Sequence, residues 1–167
     1  MNPPLTAFPA LQTDRLAIRP LRPEDAGALQ ALTDDPAITG IIHFLPSPFT
    51  AADAAALIGR NDDENCFLGV WRDAELIGVV GAHGHGDETL EIGYWIGPRF
   101  QRQGYASEAA SGVIAQLRRL YPERQVTAQC LLSNEPSWQL LHKLGFRPAG
   151  QQGHRPGREL LVLQDAG

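Results

Sequence analysis

Glu91-Ile92-Gly93-Tyr94-Trp95-Ile96-Gly97-Pro98-Arg99-Phe100-Gln101-Arg102-Gln103-Gly104-Tyr105-Ala106 reads as a strand, a short loop and the start of a helix. From Leu90 to Ile96 the Tyr, Trp and Ile side chains suit a pleated, half-buried surface. Pro98 then ends the ladder, because it has no N–H to donate. Ala106, Ala109, Ala110, Val113, Ile114, Leu117 and Leu120 recur at the spacing of one buried helical stripe, which predicts a helix behind the loop, through residues 107–121. The loop therefore delivers consecutive backbone N–H groups to a helix N-terminus. Such a terminus leaves its N–H groups without intrahelical partners and carries about half a unit of positive charge, so it attracts phosphate. Gly104 admits close approach with no Cβ in the way, and Ala106 is nearly as small. Gln101 and Arg102 can add donors at the rim. An ordinary strand-to-helix turn would also hold one glycine, so the loop does not decide the matter alone.

Length and composition narrow the field. A chain of 167 residues, 43% hydrophobic and 20% charged, fits one globular domain with a sizeable core. A net charge of −5 argues against nucleic acid, which calls for a basic face. No run approaches the roughly 18 apolar residues of a membrane span, and no charged-then-apolar leader opens the chain; the expected location is cytoplasmic. Cys66 and Cys130 read as buried free thiols.

The rest of the chain supplies the frame. Residues 1–12, with Pro3, Pro4 and Pro9, read as an arm on the surface or loose, and 13–167 as one domain. Residues 15–21 alternate as a first strand. Pro23-Glu24-Asp25 opens a helix with Ala26, Leu29 and Leu32 inward, stopped by Asp34-Asp35-Pro36. Residues 40–48 are a proline-bounded stretch whose Ile41, Ile42, Phe44 and Leu45 either tuck onto the core or wall a groove. Thr50 caps a helix to about Gly59. Residues 66–71 and 76–81 form a hairpin, and 84–87 turn into the strand at Glu91. Beyond Pro122 come a strand at 125–132, a helix at 134–144 ended by Gly145, a strand from Phe146 and a last strand at 159–164. Strands around helices with a βαβ unit at the centre give an α+β fold.

Several separated blocks carry a resemblance. Gln101-Arg102-Gln103-Gly104-Tyr105-Ala106 is similar to the Gln/Arg-x-x-Gly-x-Gly/Ala signature of the GCN5-related N-acetyltransferases (GNAT). Glu-Ile-Gly-Tyr-Trp-Ile before it, Ser107-Glu108-Ala109 after it and Thr13-Asp14-Arg15-Leu16 near the start resemble the RimJ/RimL-like branch, which acetylates ribosomal-protein N-termini. The resemblance runs from about Thr13 to the C-terminus. It implies a mixed, mostly antiparallel twisted sheet flanked by helices, with a splayed central strand pair. It also implies acetyl-CoA as co-substrate and a primary amine as acceptor, either a protein N-terminus or a small molecule. The amides of Gln101, Arg102, Gln103, Gly104, Tyr105 and Ala106 would hold the pyrophosphate. The pantetheine arm would lie along the strand ending Trp95-Ile96, and the N–H of one of these two would polarise the thioester.

Transfer to an amine needs a proton acceptor and a proton donor. Glu91, partly desolvated among Leu90, Ile92 and Tyr94, is the favoured base, provided that no bulge turns it to the other face. His154 or a water chain is the alternative. Asn134-Glu135-Pro136-Ser137, followed by Leu144-Gly145-Phe146, resembles the Asn-x-x-Ser…Gly-Phe block of the same branch, with Asn134 on coenzyme A and Ser137 near the sulfur. Other family members place a Tyr four residues before that glycine; Leu141 stands here, which favours Ser137 as donor. Helix capping would equally explain Asn134 and Ser137. His83, His85 and Asp87 lack the further spacing of a metal site and sit better in an acceptor pocket. The rival reading is a non-catalytic acyl-CoA sensor on the same fold. A third, a nucleotide-binding βαβ module, lacks the Lys-Ser/Thr and second glycine. The apolar last strand is compatible with a homodimer.

Overall fold

The strand read at residues 90–96 is β5 (Thr89–Ile96), and it lies at the middle of an eight-stranded sheet ordered β1-β2-β3-β4-β5-β6-β8-β7. The structure, a computed structural model, describes residues 3–42, 44–86, 88–131, 133–153 and 157–164. The other strands are β1 (Leu11–Gln12), β2 (Ala17–Pro20), β3 (Asn65–Arg72), β4 (Glu75–His85), β6 (Gln125–Leu131), β7 (Phe146–Gln152) and β8 (Arg158–Leu163). Every neighbouring pair is antiparallel except β5 and β6, which run parallel. A parallel pair needs a crossover, and α4 (Tyr105–Leu120) provides it.

Helices cover both faces. On one, Ala109, Val113 and Leu117 of α4 pack with Leu141 of α5 (Glu135–Leu144) against Leu90, Ile92 and Ile96 of β5. On the other, α1 (Ala26–Thr33), α2 (Pro36–Thr39) and α3 (Ala51–Ile58) bring Leu29, Ile38, Ala54 and Leu57 onto Phe67, Val79 and Trp95. The period-2 alternation of β5 thus divides its side chains between two cores. Thr50 caps α3 as a capping box with Asp53. Asp35 does not merely stop α1; its side chain accepts from the Ala37 N–H and starts α2.

Residues 3–12 are not a surface or loose arm. Leu5 and Phe8 are buried in the main core, the Leu5 N–H reaches the Asp63 carbonyl at 2.9 Å, and β1 pairs with β2. Proline content masked this, because the contacts lie far away in sequence. Strand β4 also outruns its expected end: it continues through His85, so the turn is confined to the residues after it. Asp87 and His154 lie outside the described residues.

Candidate functional site

Strands β5 and β6 pair only through Thr89↔Gln125, Leu90↔Val126 and Glu91↔Thr127. Beyond Glu91 they part, while β5 runs on to Ile96 and β6 to Leu131. A cavity of about 530 Å3 opens in the gap and passes through the sheet from one helical face to the other. Its lining includes Glu91, Trp95, Gly104, Asn134 and Ser137, which the sequence scatters over 47 positions.

The direction of the β5 peptides follows from its neighbours. The Gly97 N–H donates to Ile77 on the β4 side, whereas the carbonyls of Glu88 and Leu90 accept from Gln125 and Thr127 on the β6 side. Alternation along a strand therefore turns the N–H groups of Tyr94 and Ile96 into the gap and that of Trp95 toward β4. Of the two main-chain donors expected here, Ile96 is the one aimed at the cavity. Trp95 instead contributes its side chain from the opposite face, where its indole N–H donates to the Thr33 hydroxyl at 3.2 Å.

At the wide end, residues 98–100 form a short 3-10 turn, and Gly104 caps α4 in the left-handed region at φ 83°. Arg102 also has positive φ, 64°. The Gln101 side chain donates to the Ile96 carbonyl at 3.0 Å, and the Gln103 side chain to the Arg99 carbonyl at 3.1 Å. Both amides shape the loop; Gln101 also lines the cavity, whereas Gln103 lies outside the lining. Arg15 braces the same loop from outside. Its guanidinium lies 4.3 Å from the centre of the buried Tyr105 ring, 3.0 Å from the Gln103 carbonyl and 2.7 Å from Glu108. A loop so fixed offers the N–H groups of the α4 terminus in a set geometry.

On the α4–α5 face, Asn134 is the N-cap of α5, and its side chain accepts from the Ser137 N–H. Capping and site placement are thus the same arrangement. The Ser137 hydroxyl lies 3.0 Å from that of Tyr94, whose ring projects from β5 on the side of Ile92 and Ile96. Burial pushes the Tyr94 hydroxyl up to about 12, against the opposing pull of Ser137. It is therefore a neutral hydrogen-bonding group at any ordinary pH. The Cys130 thiol lines the same wall, is free, and is raised by burial. Tyr94 was not singled out in the sequence, although strand parity with Ile92 and Ile96 gave the signal.

On the other face Glu91 is buried, with its carboxylate 2.6 Å from Nε2 of His85 and 3.3 Å from the Gln129 amide. The β4–β5 register is continuous from Gly78↔Ile96 to His85↔Thr89, so no bulge rotates Glu91 away. The His85 side chain is 38% exposed against 6% for Glu91, so this pair connects a buried carboxylate to solvent. Nδ1 of His83 lies 3.0 Å from the Asn65 side-chain oxygen, with the ring edge-on to Phe67. No three metal-ligand side chains cluster among the described residues. The 40–48 segment divides: Leu45 is buried in the core, while Ile41, Ile42 and Phe44 wall the cavity.

A split sheet with a braced helix N-terminus at one end, a hydroxyl pair on one face and a carboxylate on the other is an arrangement suited to acyl transfer. The acetyltransferase (GNAT) domain description matches residues 15–147. The uncharacterized N-acetyltransferase YnaD of Bacillus subtilis (strain 168) is 32% identical over 145 residues, which span 84% of each chain. An acetyltransferase (GNAT family) from Bacillus anthracis superposes with a TM-score of 0.79 at 24% identity, over 93% of this chain and 98% of that one. Mycobacterium smegmatis RimJ, solved in complex with CoA-disulfide, gives 0.82 at 18%, over 99% and 90%; both likenesses are of fold. The chain belongs to the GNAT acetyltransferase family.

Proposed function

We propose that this protein transfers the acetyl group of acetyl-CoA to a primary amine, directly and within a ternary complex. The observation that carries the reading is the β5–β6 gap, which opens onto the α4 N-terminus at one end and onto Glu91 at the other. The diphosphate sits on the N–H groups of 101–106, with Gly104 leaving room for it. The pantetheine extends β5 as an added strand edge. The Ile96 N–H faces the thioester oxygen and stabilises the charge that develops there.

An amine at neutral pH is mostly protonated. Glu91 takes that proton, and His85, bonded to it and reaching solvent, carries it away. The nitrogen then attacks the thioester carbon and gives its second proton to Glu91, emptied by then through His85; the C–S bond breaks, Ser137 gives a proton to the departing thiolate, and water restores the proton of Ser137. A lone Ser hydroxyl is a weak acid; the Tyr94 hydroxyl donates to Ser137 and orients its proton toward the sulfur. No nucleophile beside a base is apparent among the lining residues, which supports direct transfer over a covalent acetyl-enzyme.

Thiol release from acetyl-CoA with a panel of amines tests this reading. Amine-dependent release that follows ternary-complex kinetics supports it. Binding of acetyl-CoA without turnover of any amine would leave a sensor, and ping-pong kinetics would exclude direct transfer.

A further inference from the structure

Gly69 of β3, Gly78, Gly81 and Gly84 of β4 and Gly93 of β5 all stand inside strands, where a glycine weakens pairing and gives up a side chain. In β3 and β4 the reason is packing. A Cβ would come within 3.0 Å of the Trp71 ring at Gly69, of the Ile96 side chain at Gly78, of the His83 ring at Gly81 and of the Glu64 carboxylate at Gly84. Gly93 has no such neighbour. A Cβ built on it meets no described residue within 4 Å, and its φ lies outside the left-handed region. The register runs unbroken through Gly81↔Gly93, so Gly93 marks no bulge either. Nothing in the packing of the described residues requires a glycine there.

The space above it is the cavity. Gly93 is exposed and lines it, whereas Glu91 and Trp95, its neighbours on the same face, are buried. The floor of the Glu91 side is therefore bare backbone at residue 93. Glu91 lies two residues away along β5, about 7 Å, and the Ile96 N–H lies three residues the other way. An amine within reach of both the carboxylate and a thioester held at Ile96 lies over Gly93.

We propose that Gly93 is a specificity-determining residue: the open floor above it takes the amine-bearing carbon of the acceptor together with a substituent on that carbon. The inference rests on the acetyl-transfer reading above. An unbranched carbon presents only hydrogens to the floor and would clear a methyl group at residue 93. A substituted carbon would not, and a close-packed site resists even one added methyl. The missing side chain thus keeps room for branched primary amines at a position where alanine would suit the strand better.

The test uses phenethylamine and phenylalaninamide, the same skeleton without and with a substituent on the amine-bearing carbon. Their kcat/KM values, corrected for amine ionisation, are measured for the protein and for Gly93→Ala and Gly93→Val. The ratio of phenylalaninamide to phenethylamine should fall on the order of 10-fold to 100-fold in Gly93→Ala, through KM, and further in Gly93→Val. The unfolding midpoint of Gly93→Ala should equal or exceed that of the protein, with its affinity for acetyl-CoA retained. A ratio unmoved in both variants overturns the proposal, and so does a lowered midpoint in Gly93→Ala, which would make the glycine structural. Turnover of phenethylamine or another amine with none of phenylalaninamide would also overturn it while leaving acetyl transfer intact. If no amine releases thiol, the transfer reading fails, and calorimetry of phenylalaninamide with the coenzyme A complex decides. Binding weakened in Gly93→Ala supports the floor assignment; binding absent or unaltered overturns it.

Discussion

Glu91 and Ser137 approach the gap from opposite faces of the sheet, Glu91 bonded to His85 and Gln129 and the Ser137 hydroxyl to Tyr94. Glu91 is bonded to His85, through which a proton can leave the buried site. Replacing it with Gln keeps the shape and removes the proposed base. Glu91→Gln should lower kcat by about 10²–10⁴-fold and abolish the rise of rate with pH that accompanies loss of the carboxyl proton. Its affinity for acetyl-CoA should stay as it was; an unchanged pH profile would remove Glu91 from the chemistry. Ser137 depends on Tyr94 in the same manner. Ser137→Ala should lower kcat more than Tyr94→Phe, for which a loss of about 10-fold is expected. The double variant should be no slower than Ser137→Ala, since the two hydroxyls act as a unit. Additive losses would mean that they act separately.

At this scale the sequence was partly legible. Glu91 stood out because a carboxylate among apolar strand residues is unusual, and Gly104 because its loop needs it. Tyr94 did not, since a tyrosine in a strand is ordinary until its parity is set against the helix opposite. His85 was read both in the turn before Glu91 and in an acceptor pocket near it; the full length of β4 is what bonds it to Glu91.

Among the elements, α4 carries the most. Its stripe was legible from spacing, but the way its N-terminus is tied down was not. Glu108, in the first turn, accepts from the Thr13 hydroxyl, from the Arg15 N–H at 2.8 Å and from the Arg15 guanidinium at 2.7 Å. It thereby fastens the turn between β1 and β2 to the loop below the helix. Burial raises the Glu108 carboxyl, but the bonds from Thr13 and Arg15 outweigh it and hold the group below its ordinary value. A carboxyl lowered on folding contributes stability above its unfolded value, and that contribution is lost as pH falls through the folded one. Glu108→Gln should therefore cost about 1–2 kcal/mol near neutrality. In chemical denaturation the gap between protein and variant should narrow as the pH is lowered into the carboxylate range. A gap constant with pH would show that the carboxylate charge is not what matters. The short elements β1 and α2 escaped a reading by periodicity, because two or four residues are too few to show a period.

Across the whole molecule, one departure from regular pairing produces the site. Ordinary pairing of β5 with β6 along their full lengths would close the cavity; parting after Glu91↔Thr127 opens it and leaves the Ile96 N–H directed inward. The α+β sheet itself could be read from the order of its parts, whereas the parting could not, because neither strand carries a residue that forbids pairing before Pro98. Gly104 is where the gap meets the helix terminus. Gly104→Glu would set a carboxylate on a left-handed residue beside the proposed diphosphate site, and it should abolish acetyl-CoA binding in calorimetry. Unaltered affinity would count against the loop.

The most direct test is a crystal structure of the protein with coenzyme A. Diphosphate oxygens should lie within about 3 Å of N–H groups in the 101–106 loop, with the pantetheine along β5 between Tyr94 and Ile96 and the sulfur beside Ser137. Coenzyme A bound elsewhere on the sheet, with the β5–β6 gap left empty, would contradict the account.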